Sequence, residues 1–259
     1  MRKLRALVTR PRHEAEKLAV RLAERGIEAV IEPMITIVER GDALPDLIGV
    51  RAVLCTSASG VRALAGASGE RGVPVFAVGD ATARAARAAG FASVESAGGD
   101  VDDLARLVAT RLRPGEGRLL HVAGSEVAGD LAGMLGAAGF TVERAVLYEA
   151  RAAAALSPTA ARLIDDGGID LALFFSPRTA AIFARLAGAA NAAGGLAATA
   201  ALAISAAADA ALGDLPFRRR LVAAAPTQAA LLALVDEFAG EFAGEFAGES
   251  AGQPAGAEP

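Results

Sequence analysis

Small hydroxylated residues and glycines recur where an apolar, strand-like run gives way to a helical pattern. Thr9-Arg10-Pro11, Thr56-Ser57, Gly79-Asp80-Ala81-Thr82, Ala123-Gly124-Ser125, Ser176-Pro177-Arg178-Thr179, Ser205 and Pro226-Thr227 all sit at such junctions. The first N–H groups of a helix lack intrahelical partners and carry the positive end of its dipole. A hydroxyl beside them completes an anion site. The plainer reading of any one site is N-capping by Ser or Thr. Taken together, they favour a ligand with many carboxylates or phosphates. Tyr148 is the other informative residue, the single tyrosine, at the end of an apolar run and followed by Glu149. A lone tyrosine can pack with its hydroxyl at the surface. A phenol in a cleft can instead give a proton or hydrogen bond to a leaving hydroxyl.

Other chemistries find little support. The turn Val78-Gly79-Asp80-Ala81-Thr82 is not a G-x-G-x-x-G fingerprint, and no G-x-x-x-x-G-K-[ST] occurs. Cys55 lies inside an apolar strand and reads as a small buried hydrophobe. It is the only cysteine, which excludes an intramolecular disulfide framework and any multi-cysteine metal site. The two histidines, His13 and His121, leave little for a metal centre, and His121 falls in a strand where a core role is the default. No metal site and no cofactor are expected.

Composition bounds the rest. The 259 residues are 53% hydrophobic with mixed charge, which is globular. Alanine contributes 66 positions and glycine 29, so side chains are small throughout. A net charge of -4 argues against a nucleic-acid partner. Mean hydropathy of +0.39 is raised by alanine. No window of 18 or more residues stays strongly apolar, and the N-terminus has no signal-peptide core. The expectation is a soluble cytoplasmic protein that contacts neither membrane nor nucleic acid.

The elements that must position these residues alternate strand and helix. Residues 5–11, 29–39, 52–57, 73–79, 117–124, 141–150, 170–176 and 198–205 read as strands. Helical patterns follow at 13–25, 58–64, 80–89, 126–138, 179–186 and from Thr227 to about Phe238. Such alternation implies right-handed βαβ units and parallel sheets, with ligands beyond the carboxyl ends of the strands. A weak repeat pairs residues 6–37 with 119–150, 53–64 with 173–186, and 75–91 with 202–217, so that Ser57 falls on Ser176 and Phe91 on Phe217. Two similar α/β domains are the simplest reading. Residues 33–39 and 144–151 look like extended connecting strands. From residue 237 the unit EFAG occurs three times, and a disordered low-complexity tail is expected over 237–259.

In order along residues 4–235, the pieces VTRP (8–11), Pro33 to Ile37, LCTSASGVRAL (54–64), AVGDATARAARAAGF (77–91), HVAGSEVAGDLAGML (121–135), AVLYEA (145–150), FFSPRTAAIF (174–183) and APTQAALL (225–232) resemble the uroporphyrinogen-III synthase family. The resemblance implies two flavodoxin-like parallel-sheet domains joined by a two-stranded connector. Residues 1–36 with 151–236 would form the first, discontinuous domain, and 40–146 the second, inserted one. It implies a lyase that closes hydroxymethylbilane, a linear tetrapyrrole with eight carboxylates, to uroporphyrinogen III. Ring D is inverted through a spiro intermediate, without a cofactor. A transient contact with hydroxymethylbilane synthase is the implied protein partnership, and the enzyme itself is expected to be a monomer.

On this resemblance the substrate lies in a cleft between the domains. Its carboxylates meet Thr56, Ser57, Thr82, Ser125, Ser176 and Thr227, with charge from Arg10 and Arg178. The family's strand-end tyrosine falls on Tyr148, which would assist loss of the hydroxyl. One departure is the run Ser205-Ala206-Ala207-Ala208, where the family has a glycine and threonine turn. The competing reading is a non-catalytic two-domain binder of an anionic small molecule, which would keep the anion sites and not need Tyr148.

Overall fold

A computed structural model of the chain describes residues 3–40, 46–125, 129–190 and 192–249. The elements begin with β1 (Arg5–Val8), α1 (Arg12–Ala23), β2 (Glu28–Ile31), β3 (Ile35–Glu39), β4 (Val50–Cys55), α2 (Ala58–Ala67) and β5 (Val75–Ala77). Next come α3 (Asp80–Ala88), β6 (Val94–Ser96), α4 (Val101–Arg111), β7 (Arg118–Gly124), α5 (Leu131–Ala137) and β8 (Val142–Ala152). The chain continues with α6 (Pro158–Asp165), β9 (Leu171–Phe174), α7 (Pro177–Ala189), a 3-10 segment (Ala192–Ala198), β10 (Ala200–Ala203), α8 (Ala206–Ala210), β11 (Arg219–Val222) and α9 (Gln228–Glu249). It divides into two compact units, Met1–Thr36 with Ala152–Pro259, and Ile37–Arg151.

In the first unit the sheet runs β11-β10-β9-β1-β2, and its neighbours pair in parallel. This is the flavodoxin-like order, 2-1-3-4-5. Strand alternation sends Ala6 and Val8 to one face, beneath Leu18 and Leu22 of α1 and Leu231 and Val235 of α9. Leu7 goes to the other face, among Ile164 of α6 and Phe183 of α7.

In the second unit the order is β3-β8-β7-β4-β5-β6, with parallel pairing from β8 to β6. Val53 and Cys55 face Val61 and Leu64 of α2 and Ala86 of α3. Ala52 and Leu54 face Leu104 and Val108 of α4 and Leu131 and Leu135 of α5. Cys55 is fully buried, and burial pushes its thiol up to about 12. The repeat found in the sequence pairs β1, β2, β9 and β10 with β7, β8, β4 and β5. Applied to β2-β1-β9-β10 it yields β8-β7-β4-β5, the order in the second sheet, and the edge strands β11 and β6, which the repeat did not include, extend the match. The sheets share one spatial plan that the chain enters at different strands.

β3 and β8 carry the chain across the division between the units. The Ala153 N–H donates to the Met34 carbonyl at 3.0 Å, and the Arg40 N–H to the Leu147 carbonyl at 2.7 Å. The partner numbers fall on one side as they rise on the other, so the two segments run antiparallel. Of the stretch 237–259 expected to be disordered, residues 237–249 are helical in α9, and 250–259 lie outside the described residues. The four-residue period turns a helix by only about 40° per unit. Phe238 and Phe242 therefore stay on one side and pack on the first unit's core, with ring centroids 6.5 Å apart. Among the described residues no helix is long and apolar enough to cross a membrane.

Candidate active site

The second unit builds a site around Tyr148. Its strand β8 pairs with β7 in regular register from Leu119↔Val142 to Ala123↔Val146. The register then slips, and Gly124 pairs with Tyr148, leaving Leu147 as an extra residue on β8. Strict alternation would send Leu147 and Tyr148 to opposite faces. The bulge turns Tyr148 onto the face that already holds Ala145 and Leu147, beside α2. The ring is 9% exposed. It lies directly over Gly124, where a Cβ would come within 2.8 Å of Cε2 and Cζ. Only glycine leaves room for it there.

The phenol oxygen is 2.8 Å from Ser57 Oγ. Ser57 is the N-cap of α2, and its Oγ also accepts from the Gly60 N–H at 3.0 Å. The Ser125 N–H donates to the Tyr148 carbonyl at 3.0 Å. Arg144 Nη2 donates to the carbonyls of Gly124 and Ser125 at 2.8 and 3.0 Å, pinning the end of β7. Ser57, Gly124, Ser125 and Tyr148 thus meet at the carboxyl end of β4 and β7. Thr56 is half-buried in the turn that precedes Ser57. Thr82 sits in the first turn of α3 and is buried at 6% exposure. Ser125 does not cap a helix: α5 starts at Leu131 with Asp130 as its cap, and residues 126–128 lie outside the described residues.

His121, on β7 beside Arg144, is 4% exposed. Burial first, and the Arg144 charge second, push its pKa down to about 4. It is a neutral core histidine, as its strand position implied.

The first unit gathers a second set at the carboxyl ends of β1 and β9. The Arg10 guanidinium lies 4.4 Å above the Phe175 ring centroid. It donates to Gln228 Oε1 at 2.8 Å and stands 3.6 Å from Glu14. Burial lowers the Arg10 pKa, and Glu14 acts in the opposite direction. Ser176 caps α7, accepting from the Thr179 N–H at 3.2 Å with Thr179 Oγ1 at 3.0 Å. Arg178 is exposed in the first turn of α7. Thr227 Oγ1 accepts from the Ala230 N–H at 3.2 Å at the start of α9. Ser205 caps the short α8 through the Ala208 N–H at 3.3 Å, so the hydroxyl of the departing run serves its own backbone. Sequence reasoning missed Gln228 and Phe175 as partners of Arg10. It also missed Gly124 as the seat of Tyr148, because a bulge has no signature in residue types alone.

A family model for the uroporphyrinogen-III synthase HemD matches residues 16–233, most of the chain. No curated protein gives a significant match. Among solved structures, a uroporphyrinogen-III synthetase from Helicobacter pylori is similar at a TM-score of 0.61 and 16% identity, over 92% of this chain and 99% of that one. A mutant uroporphyrinogen III synthase from Thermus thermophilus aligns at 0.49 and 17% identity, over 92% and 99%. The Helicobacter structure shares the fold, and the family model spans both units and the elements that carry Tyr148 and Ser57. The chain therefore belongs to the uroporphyrinogen-III synthase family.

Proposed function

We propose that this chain is a cytoplasmic lyase that eliminates water from hydroxymethylbilane and closes it to uroporphyrinogen III, with Tyr148 as proton donor. The observation that carries the role of Tyr148 is its hydroxyl, held by Ser57 at 2.8 Å over a bare Gly124. In the first step the C–O bond of the hydroxymethyl group breaks, and its electron pair stays on oxygen. Tyr148 gives that oxygen its proton, and water leaves. The pyrrole nitrogen lone pair forms the exocyclic double bond of the azafulvene cation. The azafulvene carbon then bonds to the substituted carbon of ring D, giving the spiro intermediate. The bond from that carbon to the ring C methylene breaks, leaving an azafulvene on ring C, and this methylene bonds to the free α-carbon of ring D, which inverts the ring. The proton released on final closure restores the phenol. Azafulvene formation is intrinsically easy, so most of the task is holding the chain in the geometry for attack at that carbon.

The bilane carries eight carboxylates. Thr56, Thr82 and Ser125 of the second unit and Arg10, Ser176, Arg178 and Thr227 of the first are the groups we assign to them. Arg10 is the best prepared, since Phe175 and Gln228 hold its plane. A transient contact with hydroxymethylbilane synthase would pass on the unstable bilane.

The test is the rate of bilane consumption above the spontaneous rate. Tyr148→Phe should slow it by roughly 100-fold, the lower end of what a positioned general acid supplies, with an unchanged circular dichroism spectrum. Wild-type turnover in that variant would remove Tyr148 from the mechanism.

A further inference from the structure

Ser57 was expected to bind a substrate carboxylate, yet its hydroxyl faces the phenol of Tyr148. Three features converge on that contact. The β8 bulge turns Tyr148 toward α2, and Gly124 leaves space for the ring. The Gly60 N–H donates to Ser57 Oγ at 3.0 Å, occupying one of its acceptor directions. Ser57 retains one hydrogen, and the phenol oxygen lies within its reach. The opposite sense, in which the phenol donates to Ser57, would point the tyrosine proton away from any substrate.

We infer that Ser57 is a positioning residue for Tyr148. It donates its hydrogen to the phenol oxygen, so that the phenol's own proton faces the leaving hydroxyl. The relay then runs from the Gly60 amide through Ser57 to Tyr148, each bond polarising the next. As Tyr148 hands its proton to the departing oxygen, charge develops on the phenol oxygen. The Ser57 hydrogen bond strengthens there, which is stabilisation specific to the transition state. No proton leaves Ser57. This inference rests on the proposed proton-donor role of Tyr148.

Two variants and one spectrum test it. Ser57→Ala removes the hydroxyl, and Ser57→Gly removes it with a residue that helix N-caps tolerate well, which protects folding. Both should lower kcat by about 10-fold, as expected for a hydrogen bond to a charged group, and leave KM nearly unchanged. In a Tyr148→Phe background the same changes should cost nothing further. Tyr148 is the only tyrosine, so the tyrosine Raman doublet reports its hydrogen bonding alone. The doublet of the ligand-free protein should shift in both variants. A raised KM at unchanged kcat, with an unmoved doublet, would overturn the inference and return Ser57 to substrate binding. Absence of bilane turnover by the wild-type chain would overturn the proposed function itself, and the inference with it.

Discussion

At the residue scale, two polar side chains on neighbouring strands meet different surroundings. Tyr148 lies where β8 makes its last pairing with β7, and its hydroxyl has a partner. His121 lies on the adjacent strand with its Nε2 unpartnered among the described residues. Its depressed pKa has a stability consequence. The unfolded chain binds the imidazole proton near 6.5, and the folded chain only near 4. Between those values the unfolded state holds more protons, so stability falls as pH drops through this window and levels off below it. For a pKa difference of about 2.5 the loss is on the order of 3 kcal/mol. Urea unfolding at pH 7 and pH 4.5 measures it. His121→Leu should flatten much of the difference, and an unchanged pH slope in that variant would show that other groups carry it. Tyr148 was legible because its type is unique in the chain. Its orientation was not, because alternation from Ala145 and Leu147 puts it on the wrong face, and only the bulge at Gly124 corrects this.

At the element scale, the strand–helix alternation was readable wherever both members were apolar enough. β6, α4, α6, α8 and β11 are additions to the segments picked out from the sequence. β6 and β11 are short edge strands, and β11 carries Arg219 and Arg220 in place of an apolar run. α4 did have a local signature, a capping box between Asp100 and Asp103. α9 is the largest departure. Glycine in every EFAG unit costs helix stability. Against that, Phe238 is 6% exposed beside Leu231, Leu232 and Val235, and Arg219 pairs with Glu241 at 2.6 Å. Tertiary packing outweighs local propensity as far as these contacts reach. Phe238→Ala should therefore destabilise the protein by about 3–5 kcal/mol in urea unfolding, as for other buried phenylalanines. A loss under about 1 kcal/mol would mean that the repeat helix contributes little to the core.

At the scale of the whole molecule, the duplicated plan was legible in part. Pairings such as Ser57 with Ser176 came from apolar strands ending in small polar turns. In the structure these two serines cap equivalent helices with nearly the same backbone, φ -155° and -161°, ψ 154° and 153°. The units differ in what stands beside that serine. In the second it is a phenol; in the first, Ser176 turns to Thr179 of its own helix. The phenol contact in one unit and the stacked arginine in the other join residues far apart in sequence, which no local pattern records. A synthase that directs ring closure by shape sets the isomer composition formed when hydroxymethylbilane is supplied to the wild-type protein. Uroporphyrinogen III should predominate, with the share of type I falling as protein concentration rises. Type I alone, the product of spontaneous closure, at every protein concentration would contradict the account.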